Sequence, residues 1–366
     1  MRIAIIAHCL YPIKEPYAGG LEMITHLLCD ELISRGHKVD LYAHRESETK
    51  ANLFPFLSLQ SNLNKNDHNL AEECGVDQRF LEENIQYSKI LNDIDSRGYD
   101  IVHNHSLHFQ PLILGNLLNK PIITTLHTPP FPWLKMGALA IKGNANHKFI
   151  SVSRRLGEIW SDYISEYEIV YNGIDLTKWS YNTKKERKYL VFAGRLCKEK
   201  GVEIAIQFAL CAKIPLKILG PVSDQQYFDE QIKKYLDHPL IEYVGHKEQR
   251  EINLLFSEAI GTLFFSTWEE PYGLVIAESL ASGTPVVAFN KGAAPEILTA
   301  KTGVLLDPLK PYNPKAIIKQ LRTLNGFDCR NRAEDFCSSK NMVDNYETLY
   351  MELSRNSITY DKLLAV

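Results

Sequence analysis

Short apolar runs alternate with longer amphipathic stretches along most of the chain. Apolar runs bounded by turn residues predict buried strands, and the stretches between them predict helices. This βαβ rhythm is typical of doubly wound parallel sheets, and it occurs once in each half. In the first half the pattern predicts strands at 2–8, 38–43, 100–104 and 121–126, with helices at 21–35 and 78–97. In the second half it predicts strands at 189–193, 216–219, 241–244, 261–265, 285–289 and 303–305.

Two polar segments interrupt this rhythm. Residues 46–76 are polar and poorly periodic, and they predict an insertion or a mobile loop. Residues 175–188 contain a run of charged side chains and predict a linker between two Rossmann-like halves. With 366 residues, the chain is long enough for two domains that each have a full core.

The composition is that of an ordinary globular protein. Hydrophobic residues make up 45% of the chain and charged residues 23%, which is typical of soluble domains. No apolar run reaches about 18 residues, and a strand is predicted almost at Met1, so we expect neither a membrane span nor a cleavable signal. The seven cysteines show no Cys-x-x-Cys spacing and indicate reduced thiols. These features predict a cytoplasmic protein.

The charge distribution excludes one class of partner. The net charge is −3, and residues 1–175 hold 16 Lys and Arg against 21 Asp and Glu. Nucleic acids and anionic lipid surfaces both require clustered positive charge. We therefore expect no nucleic-acid partner, and the sequence gives no support for peripheral membrane contact.

Two glutamates carry the first indication of chemistry. Glu278 is the only charged residue between Glu270 and Lys291, and it lies among apolar residues of a helix predicted to begin near Gly273. A carboxylate there is costly unless it is hydrogen-bonded, and two ribose hydroxyl groups would satisfy it. Glu270 precedes the same helix, whose N-terminus favours an anionic group such as a sugar diphosphate. The alternative is a structural hydrogen-bond network around Glu278 and an ordinary acidic residue at a helix start.

Arg195 and Lys200 form a second element. Arg195 directly follows the strand 189–193, so it lies at the carboxyl edge of the sheet, where open α/β sheets bind ligands. Lys200 is predicted at the start of the next helix. The two cations would neutralise a diphosphate and stabilise the charge that develops as a sugar leaves. The alternative is a pair of solvated charges that flank a turn.

The first half offers a glycine pair and a histidine. Gly19 and Gly20 separate the first strand from the first helix, where a backbone loop can approach a ligand closely. His127 follows the strand 121–126 and can hydrogen-bond a sugar hydroxyl. The apolar loop after it, with Phe131 and Trp133, predicts either a stacking platform for an acceptor or a packed turn.

Two metal-binding interpretations are weaker. His103, His105 and His108 lie close together in sequence, but the zinc geometry would need a further suitable ligand. His105 is better explained as a polar contact to an acceptor. Asp93 and Asp95 have the Asp-x-Asp form of some metal-dependent glycosyltransferases, at the end of a predicted helix. We expect no metal site.

The segment from Trp268 to Ala288 resembles the family 4 retaining glycosyltransferases, also known as glycosyl transferases group 1. These enzymes carry a Glu-x7-Glu motif followed by a Gly-Thr-Pro-Val-Val strand, and both are present here. The resemblance extends from Met1 to about Asp307 and joins four elements in family order. It implies the GT-B fold, an α/β architecture of two Rossmann-like domains facing across a cleft. It also implies a last helix, about 340–356, that crosses back to the N-terminal domain.

The resemblance also implies domain and site assignments. Residues 1–178 with about 345–366 would form the acceptor domain, and 179–344 the nucleotide-sugar donor domain. The expected catalytic residues are His127, Arg195, Lys200 and Glu270. The expected donor-binding residues are Gly19, Gly20, Arg195, Lys200, Glu270, Tyr272, Gly273, Leu274 and Glu278. The expected acceptor contacts are His105, Phe131 and Trp133.

The function implied is transfer of a hexose-type sugar from a UDP- or GDP-sugar, with retention of configuration and without a metal or other cofactor. The acceptor would be a hydroxyl group of a carbohydrate, a lipid-linked molecule or a small molecule. Two alternatives stay open at this point. One is another GT-B enzyme, such as a nucleotide-sugar epimerase or a phosphorylase. The other is a non-catalytic nucleotide-sugar binder, which would bind donor without turning it over.

Overall fold

The computed structural model describes residues 1–56, 70–144, 146–181 and 186–364. The chain divides into two compact units. Unit 1 comprises Met1–Val152, Gly157–Val170 and Val343–Val366. Unit 2 comprises Ser153–Leu156 and Tyr171–Met342. The functional domain boundaries at 178 and about 345 stay predictions.

Within the described residues, unit 1 contains a parallel sheet of seven strands in the order β3-β2-β1-β4-β5-β6-β7. The helices of this part of the chain connect the strands as right-handed crossovers require. The strands are β1 (Arg2–Ile6), β2 (Lys38–Ala43), β3 (Asn52–Pro55), β4 (Ile101–Asn104), β5 (Ile122–Leu126), β6 (His147–Ser151) and β7 (Glu168–Ile169). The helices are α1 (Gly20–Ser34), α2 (Leu70–Glu73), α3 (Gln78–Asp95), α4 (Gln110–Ile113), α5 (Pro132–Ala140) and α6 (Arg154–Trp160).

Unit 2 contains a parallel sheet of six strands among the residues described, in the order β10-β9-β8-β11-β12-β13. The strands are β8 (Tyr189–Ala193), β9 (Leu216–Leu219), β10 (Ile241–Gly245), β11 (Ala259–Phe264), β12 (Val286–Phe289) and β13 (Gly303–Leu306). The helices that follow unit 1 are α7 (Val202–Ala212), α8 (Gln225–Tyr227), α9 (Gln249–Ser257), α10 (Leu274–Ala281), α11 (Ala294–Ile297), α12 (Pro314–Leu321), α13 (Gly326–Phe336) and α14 (Ser339–Leu364). A π-helical turn, Phe228–Ile232, continues α8.

Apolar spacing explains how the helices attach to the sheets. In α1, Ile24, Leu28 and Leu32 recur every four residues and are fully buried. This spacing places them on one face of the helix. Burying each such side chain contributes about 1.5–3 kcal/mol. The first strand, Arg2–Ile6, is buried beyond its first residue, as expected for a parallel strand covered on both faces.

The strand order reverses once in each sheet, and this reversal positions the candidate sites. In unit 1 it lies between β1 and β4, and in unit 2 between β8 and β11. Loops after the two neighbouring strands diverge there and leave a crevice at the carboxyl edge of the sheet. The predicted fold class, two Rossmann-like domains, is confirmed.

Three strands and one helix length differ from the sequence prediction. The strand β3 lies inside the predicted insertion 46–76, while residues 57–69 of that insertion lie outside the described residues. The strands β6 and β7 were not predicted, because β6 mixes His147 and Lys148 with apolar residues and β7 has two residues. The final helix spans Ser339–Leu364, longer than the predicted 340–356, and belongs to unit 1 from Val343 onward. No helix in the described ranges has the length and apolar character needed to cross a membrane.

Candidate functional site

The loops after β8 and β11 bring the predicted donor residues of unit 2 to one edge of the sheet. These strands are neighbours at the point where the strand order reverses. Arg195 and Lys200 follow β8, and Glu270 follows β11. The topology therefore places the two elements in the crevice where parallel α/β sheets bind ligands.

Lys200 and Glu270 form a direct ion pair. The Lys200 Nζ lies 2.5 Å from Glu270 Oε2, and both side chains are 15% exposed. The Trp268 indole N–H donates to the same carboxylate oxygen at 2.6 Å. The Lys200 ammonium also lies 5.4 Å from the centre of the Trp268 ring. Glu270 is thus held in one orientation by a cation and an indole N–H group.

Gly292 allows the backbone of Glu270 to approach closely. Gly292 has a φ of 56°, and a Cβ atom there would lie 2.5 Å from the Glu270 nitrogen. The Ala293 N–H donates to the Glu270 carbonyl at 3.0 Å. The turn at 291–293 therefore supports the loop that carries Glu270, as the sequence predicted from the second glycine turn.

Arg195 is more open than Lys200. Its side chain is 52% exposed and lies 3.8 Å from Glu199. Burial raises the pKa of Glu199, but a hydrogen bond from the Cys197 thiol and the charges of Arg195 and Lys200 outweigh burial and lower it overall. The exposed guanidinium is available to an anionic ligand.

Glu278 lies on α10, which begins after Gly273 at a φ of 98°. Its side chain is partly exposed, and no hydrogen-bond partner for its carboxylate is found among the described residues. Burial raises the pKa of Glu278 to about 7. The carboxylate is therefore the type of buried, unsatisfied acceptor that ribose hydroxyl groups would stabilise.

The other donor candidates near this helix differ in how they could meet a ligand. The Tyr272 ring is buried, and burial and the neighbouring Cys337 raise its pKa well above the ordinary value. Any contact from Tyr272 would therefore come from its backbone. Gly273 and Leu274 begin α10, where the first N–H groups of a helix have no intrahelical partner.

In unit 1, the glycine pair lies beside a buried ion pair. Gly19 is the residue before α1, and the Glu22 carboxylate lies 3.2 Å from the position of a Cβ atom at Gly19. The His8 Nε2 is hydrogen-bonded to Glu22 Oε1, and both side chains are buried. The Leu10 N–H donates to His8 Nδ1 at 3.2 Å, so His8 Nε2 carries the proton shared with Glu22. This pair fixes the start of α1 to the end of β1.

His127 follows β5 and contacts a second histidine. Its Nε2 lies 2.9 Å from His105 Nδ1. Burial, with a smaller effect of His8, lowers the pKa of His127 to about 3. His127 is therefore neutral across physiological pH and can act on a sugar only as a neutral hydrogen-bonding group.

The acceptor candidates occupy different surroundings. His105 is fully buried between His103 and His127, so a direct acceptor contact by His105 would require its bond to His127 to break. Trp133 is 52% exposed, and its ring centre lies 5.1 Å from Phe80 and 5.7 Å from Phe109. Phe131 is half-buried and precedes α5. The exposed Trp133 face leaves a stacking contact open.

The Asp-x-Asp pair is engaged elsewhere. Asp93 accepts hydrogen bonds from Tyr42 at 2.7 Å and from Arg97 at 2.7 and 3.0 Å. Asp95 lies 3.7 Å from Lys120. In the part of the chain that the structure describes, no group of three His, Cys, Asp or Glu side chains is arranged to hold a metal ion.

Sequence reasoning did not find several of these contacts. Trp268, His8 and Glu22 were not singled out, although Trp268 lies two residues before Glu270 and Glu22 directly follows the glycine pair and Leu21. The partners His103 and Tyr350, whose Nδ1 and hydroxyl oxygen are 2.6 Å apart, are 247 residues apart in sequence. No local pattern could have joined them.

Two family models match this chain. The model described as "Glycosyl transferases group 1" matches residues 174–332, and "Glycosyltransferase Family 4" matches residues 18–178. The glycogen synthase of Mycobacterium tuberculosis is 25% identical over 353 residues, which cover 84% of this chain and 83% of that protein.

Solved structures share the fold at lower identity. Sucrose-phosphate synthase from Thermosynechococcus elongatus has a TM-score of 0.74 at 19% identity, covering 96% of this chain and 98% of that one. HepE from Anabaena in complex with UDP-glucose has a TM-score of 0.70 at 17% identity, covering 95% of this chain and 99% of that one.

Proposed function

The chain belongs to the group 1, family 4 glycosyltransferases of the GT-B fold, and from that premise we propose the reaction that it catalyses. It transfers a hexose from a UDP- or GDP-sugar to a hydroxyl group, with retention at the anomeric carbon. The acceptor is a carbohydrate, a lipid-linked molecule or a small molecule. The observation that carries this proposal is the Lys200–Glu270 pair at the strand-order reversal of unit 2.

The ion pair supports the proposal because its two members suit the two ends of a sugar diphosphate. The Lys200 ammonium would exchange the Glu270 carboxylate for phosphate oxygens when donor binds. Glu270 would then accept hydrogen bonds from the sugar while the Trp268 N–H still orients it. In the free protein, the pair keeps both groups in place and compensates their charges.

Glu278 supports the nucleotide half of the proposal. Its carboxylate has no described partner, and two vicinal ribose hydroxyl groups would supply two charge-assisted hydrogen bonds. The bound nucleotide would return the Glu278 pKa towards its ordinary range, because hydrogen bonds to the charged form favour ionisation.

Arg195 and Lys200 supply the electrostatic stabilisation of the leaving group. As the bond between the anomeric carbon and the phosphate oxygen breaks, negative charge collects on the diphosphate next to these cations. We infer that the acceptor hydroxyl attacks from the same face and passes its proton to the departing phosphate oxygen. Trapping of a glycosyl-enzyme intermediate would contradict this step.

We also propose that no metal ion is needed, since two protein cations lie at the same sheet edge. Turnover should therefore persist at full rate in excess EDTA. A loss of rate in EDTA that Mg²⁺ or Mn²⁺ restores would contradict this proposal.

UDP-glucose is the first donor to test, because HepE was solved in complex with it. Purified protein would be incubated with UDP-, GDP- and ADP-sugars and mixed acceptors, and nucleotide release and transfer products would be followed by mass spectrometry. We expect release from one donor class and its loss in Glu270→Ala and Arg195→Ala. Glu352→Ala, on the exposed surface of α14, is the matched control and should retain activity.

Other outcomes separate the alternatives. Conversion of donor without acceptor would indicate an epimerase, and a requirement for inorganic phosphate would indicate a phosphorylase. Saturable donor binding with no turnover for any acceptor would indicate a non-catalytic binder and would contradict the proposed transfer.

A further inference from the structure

A chain of hydrogen bonds runs through unit 1 from His127 to the C-terminal helix. His127 Nε2 lies 2.9 Å from His105 Nδ1, and His105 Nε2 lies 3.2 Å from His103 Nδ1. The Tyr350 hydroxyl closes the chain at 2.6 Å from the same His103 nitrogen. His103 and Tyr350 have no role in the proposed reaction so far.

The three histidines are neutral. His103 and His105 are fully buried, and burial lowers the pKa of each well below its ordinary value. A neutral imidazole carries one N–H group and one lone pair. Each ring in the chain must therefore donate at one nitrogen and accept at the other. The protons of the whole chain can then be ordered in only two directions.

In the first order, the Tyr350 hydroxyl donates to His103 Nδ1. The His103 proton then lies on Nε2, where it donates to Thr125 Oγ1 at 2.7 Å. His105 must face the His103 lone pair with an N–H group on Nε2, which leaves its Nδ1 to accept from His127 Nε2. His127 Nδ1 is then unprotonated.

In the second order, His103 Nδ1 carries the proton. It donates towards His105 Nε2 and Tyr350, and His105 Nδ1–H donates to His127 Nε2. His127 Nδ1 then carries a proton. The direction of the chain thus decides whether His127 offers an acceptor or a donor at Nδ1.

The surroundings of Tyr350 favour the first order. Its side chain is fully buried, and His103 is the hydrogen-bond partner of its hydroxyl among the described residues. In the second order, the Tyr350 hydroxyl proton would have no acceptor. A buried donor without an acceptor costs about 1–3 kcal/mol. Thr125 suits the first order as well, since its own hydroxyl can donate to Tyr346 at 3.0 Å.

We propose that Tyr350 is a positioning residue that holds His127 in the tautomer with Nε2 protonated and Nδ1 unprotonated. Nδ1 of His127 has no hydrogen-bond partner within the described residues and accepts a proton from a ligand hydroxyl. This last step rests on the proposed function, because it takes the ligand to be the transferred sugar. The tautomer itself does not depend on the reaction.

The test is nitrogen NMR of protein labelled with ¹⁵N-histidine. Protonated and unprotonated imidazole nitrogens have well-separated shifts, and the signals of His127 are assigned by their loss in His127→Gln. We expect an unprotonated Nδ1 in the wild type. In Tyr350→Phe, the preference for this tautomer should fall from about fivefold or more towards unity, as a bias of about 1 kcal/mol or more is removed. A protonated Nδ1 in the wild type, or an unchanged ratio in Tyr350→Phe, would overturn the proposal.

Tyr87→Phe is the matched control. Tyr87 is a buried tyrosine of the same unit whose hydroxyl donates to the Ala7 carbonyl at 3.3 Å, outside the histidine chain. It should leave the His127 tautomer unchanged, and thermal unfolding of both variants checks that each is folded. A tautomer change in Tyr87→Phe equal to that in Tyr350→Phe would reduce the effect to general loosening and would overturn the proposal.

A kinetic measurement separates this inference from the proposed function. With the active donor, Tyr350→Phe should lower kcat/KM by about tenfold, the size of one lost hydrogen bond, while the Kd for UDP alone stays unchanged. If no donor is turned over but the tautomer depends on Tyr350, the proposed function fails and the positioning role stands. If donor is turned over and neither tautomer nor kcat/KM changes in Tyr350→Phe, the positioning role fails alone.

Discussion

Glu278 has an ionisation that works against the stability of the free protein. Burial raises its pKa from an ordinary 4.5 to about 7. Between these two values the folded state binds more protons than the unfolded state, so the free energy of unfolding falls as pH rises through this window. Above pH 7 the full cost of the buried charge is present, up to about 3 kcal/mol from the size of the shift.

We therefore predict opposite effects of Glu278→Gln on stability and on binding. The variant should be more stable than the wild type above pH 7, because the buried charge is gone, and equally stable near pH 4 to 5. Its affinity for the donor nucleotide should fall at least about tenfold, because an amide forms weaker hydrogen bonds to ribose than a carboxylate. Thermal unfolding from pH 4 to 8 and calorimetric titration with UDP would measure both.

Glu352→Gln provides the comparison for this prediction, because Glu352 is exposed on α14. It should change neither the pH profile nor the affinity. A Glu278→Gln protein that is less stable at pH 8, or that binds nucleotide as the wild type does, would show that Glu278 has a structural role instead.

Gly292 allows a second prediction about single residues. A Cβ atom there would lie 2.5 Å from the Glu270 nitrogen and 2.6 Å from its oxygen, at a φ of 56°. Gly292→Ala must therefore displace the loop that carries Glu270, and we expect kcat/KM to fall tenfold or more, as about 1.4 kcal/mol of positioning is lost.

Gly36→Ala separates steric displacement from backbone strain. Gly36 has a φ of 87° and open space where a Cβ atom would lie. Both variants should lose about 1 kcal/mol of stability from the left-handed backbone, but Gly36→Ala should keep full activity. Equal activity in the two variants would disprove the role assigned to the 291–293 turn.

Single residues were predictable where the sequence departs from local expectation. Glu278 stands out because a lone charge interrupts an apolar helix, and Gly292 because it precedes a helix start. The Lys200–Glu270 contact joins residues 70 positions apart, so it depends on which strands become neighbours. The roles of the site residues stay predictions until a ligand is bound.

At the scale of elements, α14 is attached to unit 1 by a buried face and by ion pairs. Tyr346 and Tyr350 are fully buried. Arg35 contacts Asp344 and Glu347, and His37 Nε2 lies 2.7 Å from Glu347. Burial raises the pKa of Glu347, but the hydrogen bonds and charges of His37 and Arg35 outweigh burial and lower it overall.

We predict that Tyr346→Ala lowers the free energy of unfolding by about 3–5 kcal/mol, as large aromatic-to-alanine changes do in a packed core. Met351→Ala, on the same helix at 46% exposure, should cost less than about 1 kcal/mol. Urea unfolding of both variants would test whether α14 is an integral part of unit 1. Similar midpoints for the two variants would contradict that view.

Elements were predictable where apolar runs are uninterrupted. The strands at 189–193 and 216–219 have the predicted bounds, because each is a short apolar run closed by a turn. The edge strand at 52–55 was missed because it contains Pro55, which lacks a backbone donor, and lies in a polar segment. Edge strands have fewer buried positions, so their patterns are weaker.

At the scale of the whole molecule, the two sheets repeat one strand order. Both follow the doubly wound plan, with the reversal next to the first strand of each unit. The alternating pattern predicted this architecture, because parallel strands joined by helices have few other arrangements. The identities of the donor base and of the acceptor were not predictable, because a few side chains and loop shapes determine them.

We predict that UDP stabilises the intact protein and protects a defined part of unit 2. At a concentration of 100 times Kd, a ligand bound only to the folded state adds about 2.7 kcal/mol. Hydrogen exchange should slow most at residues 194–201 and 265–278, which carry Arg195, Lys200, Glu270 and Glu278. Protection confined to other parts of the chain would contradict the assigned donor site.

The most direct test of the central claim is a crystal structure of the protein with UDP. We expect the diphosphate to contact Arg195 and Lys200, the ribose hydroxyl groups to donate to Glu278, and Lys200 to have moved from Glu270 towards the phosphates. A nucleotide bound elsewhere, or bound here with Glu278 turned away from the ribose and the Lys200–Glu270 pair intact, would contradict the account.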